Sequence, residues 1–99
     1  MNEVIKQSYE EFTVQVSFAL NLASGESIVS STVTAVDKAG TDVSSTITDQ
    51  TTVVQTSNAV SLKVRAGSAS MSPYKLTFRC VTSAGHKWEH DITMRVRER

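Results

Sequence analysis

Between Tyr74 and Val96 the chain alternates twice, and the two alternating runs are joined by a turn that ends in glycine. The first run sets Tyr74, Leu76, Phe78 and Cys80 on one face. The second sets Trp88, Ile92, Met94 and Val96 on one face, with His90 among them. Side chains two positions apart share a face of a strand, so the spacing predicts a β-hairpin, and the turn fixes its register. If Ser83-Ala84-Gly85 is a three-residue loop, Thr82 lies opposite His86. Cys80 then lies opposite Trp88, Phe78 opposite His90, Leu76 opposite Ile92 and Tyr74 opposite Met94. A three-residue loop wants its last residue in the left-handed region, and that residue is Gly85. A four-residue loop would slip the register and set Trp88 against Arg79. Turn chemistry and apolar pattern agree on one answer.

The same periodicity recurs upstream. Phe12, Val14, Val16 and Phe18 alternate with Thr13, Gln15 and Ser17. Ile28 to Val36 reads as a strand with Val29, Val33 and Ala35 on one face. Val60, Leu62 and Val64 form another. Val43 to Thr48 is expected to be a short Ser/Thr-rich edge strand, and Thr52 to Gln55 a further one. Asp37-Lys38-Ala39-Gly40 and Ser57-Asn58 are turn signals. Leu20 to Ser27 reads as a loop with its apolar ends tucked inward, and Gly67 to Ser72 as a small-residue loop ended by Pro73. About seven strands with turn signals between them, and no helical period, predict an all-β, two-sheet antiparallel β-sandwich. Residues 1–10 are expected to be a flexible N-terminal arm or a short edge strand, and residues 11–99 a single sandwich domain. Aromatics make up only 6% of the chain, so aliphatic and β-branched side chains must fill the core.

The charge balance narrows the partners. Ten Lys and Arg offset ten Asp and Glu. A nucleic-acid or membrane-surface binder would show a basic excess, so neither partner is expected. Residues 1–50 nonetheless hold seven acids against two bases, a net of −5. Residues 51–99 hold eight bases against three acids, a net of +5. The simpler reading is that the halves fold together and neutralise each other. The sharper one is that the acidic face of one copy meets the basic face of the next, which makes a homo-oligomer a candidate. Met1-Asn2-Glu3 starts no basic-then-apolar signal pattern, and no apolar run reaches membrane-spanning length. A reducing cytoplasm, or a particle assembled there, is the expected setting.

Chemistry is hard to place on these residues. Cys80 is the only cysteine, so no internal disulfide can form; in phase with Leu76 and Phe78, it reads as a small buried hydrophobe. His86 and His90, flanking Glu89, suggest metal ligands only until they are put on a strand. Four residues there span roughly 13 Å at about 3.3 Å each, too far to share a zinc ion. Asp37, Asp42 and Asp49 lack the tight spacing of a calcium loop and read as turn residues. There is no G-x-S-x-G and no phosphate-cradling glycine loop. Arg95, Arg97 and Arg99 form a basic edge, either a solvated strand face or a docking stripe for an acidic partner. Trp88 reads as a core residue at the centre of the sandwich. No catalytic, metal-binding or cofactor-binding residue is assigned, and no cofactor is expected.

Two stretches together resemble a family of small Ig-like structural proteins of tailed phages and prophages, some of them described as fibre–tail adaptor proteins. The first is Phe12-Thr-Val-Gln-Val-Ser-Phe18 with Leu20, then Gly25-Glu26-Ser27-Ile28 and Ser31-Thr32-Val33-Thr34. The second is Tyr74-Lys-Leu-Thr-Phe78, Thr82-Ser-Ala-Gly85, and a closing strand ending Met94-Arg-Val-Arg-Glu98. Many relatives carry a Trp-rich first strand, where this chain has Phe12 and Phe18. The resemblance implies a non-enzymatic virion structural or adaptor protein of the tail or head–tail region. Its partners would be other virion structural proteins, met in a virion assembled in the bacterial host cytoplasm. The competing reading is a carbohydrate- or cell-surface-binding Ig-like module, which would need exposed aromatics or a calcium-loaded loop.

Overall fold

Period-two alternation becomes two packed sheets. The computed structural model describes residues 3–98. In chain order the elements are β1 (Glu3–Lys6), β2 (Phe12–Ser17), β3 (Ile28–Val36), a single helical turn α1 (Ser44–Ile47), β4 (Thr48–Gln55), β5 (Ala59–Val64), β6 (Tyr74–Thr82) and β7 (Lys87–Val96). Short 3-10 turns occupy Ala19–Asn21 and Ala69–Met71. One sheet has the order β1-β7-β6-β3 and the other β2-β5-β4. Pairing is antiparallel except between β1 and β7, which run parallel. The β7-β6-β3 and β2-β5-β4 groupings are those of an immunoglobulin-type sandwich, with β1 laid against the last strand.

The β6–β7 hairpin has the register that its turn dictates. Tyr74 pairs with Met94, Leu76 with Ile92, Phe78 with His90, and Cys80 with Trp88, while Arg79 faces Glu89 on the other side. The Thr82 N–H donates to the His86 carbonyl at 2.9 Å, and Gly85 takes φ +83°. Phe18, Val60, Leu62, Val64, Phe78 and Met94 are fully buried between the sheets. Each such side chain contributes about 1.5–3 kcal/mol by leaving water.

Four local expectations fail, each for a physical reason. Val43 to Thr48 is not an edge strand. The Asp42 carboxylate accepts from the Ser44 N–H and hydroxyl at 2.9 and 2.7 Å, and the Thr48 hydroxyl donates to the Ser44 carbonyl at 2.5 Å. These local bonds wind the segment into α1 and start β4 at Thr48, because Ser, Thr and Asp side chains compete with the ladder. Leu20 is fully exposed: Phe18 takes the inward position, and the 3-10 turn that follows throws Leu20 outward. Val29 is also exposed, because a bulge between Ile28 and Ser30 puts Ile28 inside in its place. Trp88 is half-buried at the margin of the core rather than at its centre.

The two ends of the sandwich are built differently. At one end, the β5–β6 connection is held by a tyrosine corner, in which the Tyr74 hydroxyl accepts from the Ser68 N–H at 2.9 Å. Gly67 beside it has φ +92°, and a side chain there would press on Val96, Ile47 and Tyr74. The other end gathers the β2–β3 loop (residues 18–27), the β4–β5 turn (56–58) and the hairpin tip (83–86).

Candidate protein-interaction surfaces

The residues weighed for chemistry are found in the core, in local hydrogen bonds and in ion pairs. Cys80 is buried, and burial pushes its thiol up. The Asp37 carboxylate accepts from the Ala39 and Thr41 N–H groups at 2.9 and 3.0 Å. Asp42 holds Ser44, and Asp49 accepts from the Thr51 N–H and hydroxyl at 3.1 and 2.6 Å, with Arg65 3.9 Å away. The three aspartates are therefore not brought together. Among the described residues, no group of three His, Cys, Asp or Glu side chains is placed to hold a metal ion. Glu89 pairs with Arg79 at 2.6 Å, and Arg95 with Glu3 at 2.5 Å. The Arg97 N–H donates to the Lys6 carbonyl, and Arg99 lies outside the described residues.

The loop end is organised by a carboxylate that the sequence reading passed over. The Glu26 side chain is only 4% exposed. It accepts a short hydrogen bond from the Thr82 hydroxyl, a second from the Ala23 N–H at 2.9 Å, and lies 3.0 Å from His86 Nδ1. The Thr82 hydroxyl and the Ala23 N–H hold this carboxyl below the usual glutamate range, against the opposing effect of burial. The loop is laced to both neighbours: Phe18 N–H to the Asn58 carbonyl, Ile28 N–H to Ser57, and Ser83 N–H to Ser27. His90 Nε2 lies 3.1 Å from Asn21 Oδ1, and its ring meets Phe18 edge-on at 4.8 Å. From this ordered platform Leu20 projects wholly into solvent. The Gly25-Glu26 step was the available signal, since a glycine at φ +82° turns the next carboxylate back toward the sheet.

The opposite end carries the second missed residue. Lys6 is 1% exposed, which is rare for lysine. Its ammonium donates to the carbonyls of Ala66 (2.6 Å), Gln7 (2.7 Å) and Ser8 (3.2 Å), so each of its hydrogens has an acceptor. Burial lowers the Lys6 pKa, while Glu10, Glu98 and Glu11 nearby act to raise it. The signal was the in-phase pair Val4 and Lys6, both turned toward the core. Next to this clamp, Ser8, Tyr9, Glu10, Glu11, Phe12 and Ala66 line an open depression of 720 Å³, and Tyr9 is 95% exposed at its rim.

The two long sides also differ. Along β3, side chains of α1 and β4 bond to the backbone: Gln50 Nε2 donates to the Val33 carbonyl and Gln55 Nε2 to that of Ile28, while the Ser44 hydroxyl accepts from the Ala35 N–H. On the other side, β1 covers only Thr93 to Val96 of β7.

The model of the family described as podophage GP4 fiber-tail adaptor protein gp77 matches residues 6–95. The chain belongs to this family. The match takes in all of β2 to β6 and most of β7, and leaves out β1 before Lys6. Membership indicates a structural role in a phage tail, as a virion component. A comparison with individual curated proteins found no match.

Proposed function

We propose that the chain is a non-enzymatic adaptor that joins fibre and tail components through protein–protein contacts made at the two ends of the sandwich. The observation that carries this reading is the family match over residues 6–95. The geometry supplies what a bridge needs. The molecule is elongated, 45 × 25 × 23 Å, and each end presents a large apolar side chain in water, Leu20 at the loop end and Tyr9 at the other. Exposed anchors of this kind, set on hydrogen-bonded supports, are what binding interfaces draw on.

The test is light scattering of the chain mixed with the fibre and tail proteins of the same phage. The expected result is a complex with each of them. Leu20→Asp should abolish one complex and Tyr9→Ser the other, with neither changing the melting temperature. Failure to bind either the fibre or the tail proteins would overturn the reading.

A further inference from the structure

The outer edge of β7 is only partly covered. β1 pairs with Thr93 to Val96, and from Lys87 to Ile92 no described residue pairs with that edge. Backbone parity shows which groups are left over. The His86 carbonyl and the Val96 N–H bond on the β6 side, to the Thr82 N–H and the Ser72 hydroxyl, whereas the Arg97 N–H turns the other way, to β1. Bonding direction alternates along a strand, so the N–H and C=O groups of Lys87, Glu89 and Asp91 point outward. Two of these side chains do not guard the edge: Glu89 is drawn over β6 by Arg79 at 2.6 Å, and Asp91 by the Thr77 hydroxyl at 2.9 Å. Lys87 is exposed and makes no ion pair among the described residues. Edges of this kind are the ones that pair with another strand.

We propose that this edge pairs antiparallel with the same edge of a second copy, about a two-fold axis at Trp88. Lys87 then lies opposite Glu89 of the second copy, and Glu89 opposite Lys87 of the second copy. Both residues bond outward, so each pair exchanges reciprocal backbone hydrogen bonds, and each sets opposite charges side by side on the outer face. On the inner face Trp88 meets Trp88 of the second copy at the close spacing of a non-hydrogen-bonded pair, about 4.5 Å between Cα atoms. The indole that is half-buried in one copy gains an aromatic neighbour. The register is limited by β1: an axis at His90 would set Lys87 against Thr93, whose edge β1 already holds. The occupant is a second copy because charge and aromatic contact are both self-complementary in this register. The inference does not depend on which virion proteins the ends engage.

Sedimentation equilibrium of the full chain, from about 1 to 500 µM, tests it. The expected result is a dimer that forms at tens of micromolar, as suits a small interface. Lys87→Glu alters only an exposed side chain and opposes like charges across the axis; it should weaken the dimer about tenfold. In a Cys80→Ala background, which removes the thiol that faces position 88 within one copy, Trp88→Cys should give a disulfide-linked dimer on oxidation, since the paired Cβ atoms fall within bonding range, and Val54→Cys on the opposite side should not. A chain that stays monomeric throughout would overturn the proposal. So would a dimer that is indifferent to Lys87→Glu, or one that Trp88→Cys in the Cys80→Ala background fails to cross-link.

Discussion

The two ends of this sandwich are held by different means. The end with Lys6, Gly67 and Tyr74 is closed by packing, with a buried ammonium, a glycine that has no room for a methyl group, and a tyrosine corner. The loop end is closed by hydrogen bonds between chain segments, with Glu26 at their centre, and its glycines have open space around them. The contrast teaches that rigidity can come from filled volume or from polar lacing. The first resists an added methyl group at Gly67, whereas the second tolerates bulk at Gly25 and Gly85 but depends on protonation.

The largest expected effect is at the packed end. Lys6→Ala removes the donor shared by three carbonyls and opens the space its stem filled. It should cost about 3 kcal/mol, read as a lower denaturant midpoint, and should also free β1 and lengthen the open edge of β7. The same substitution at both ends then isolates packing. Gly67→Ala combines a left-handed φ with a Cβ only 3.1 Å from Val96 Cγ2 and should cost about 2–3 kcal/mol. Gly85→Ala meets nothing within 4 Å and pays only for φ +83°, about 1 kcal/mol. Equal losses in thermal melts would erase the distinction.

The smallest effect at neutral pH is the one that marks the loop end. The Glu26 carboxyl has its folded pKa lowered from the ordinary 4.5, chiefly by the Thr82 hydroxyl. An acid with a lowered folded pKa adds stability that is present above its unfolded value and disappears as pH falls through the folded one. The melting temperature should therefore fall on acidification below about pH 4.5. Glu26→Gln should flatten that fall in part only, because Asp42, Asp49 and Glu98 are lowered too.

How much of this was legible in the sequence depended on how local the deciding contacts are. The β6–β7 hairpin was readable to the residue because long alternation and Gly85 specify one register together. The two-sheet architecture followed from the same period in β2 and β5. The α1 turn was hidden because Ser44, Thr48 and Asp42 settle it by side-chain bonds that outweigh the strand propensity of Val43 and Ile47. Val29 was misplaced by one bulge, which inverts every face behind it. β1 pairs with residues ninety positions away, a contact that four residues of pattern cannot announce. Lys6 and Glu26 were missed for a shared reason: charged side chains are expected in water, and only the acceptors and donors gathered by the fold make their burial tolerable.

Cys80 gives the molecule an internal clock. With its sulfur sealed behind the hairpin and its ionisation suppressed, it should be inert to alkylating reagents while the sheets stay closed. Because this thiol is the chain's sole one, every labelled molecule would record at least one opening, and with a reagent that reacts faster than the sheets reclose the labelling rate would report how often the strands part inside an assembled tail.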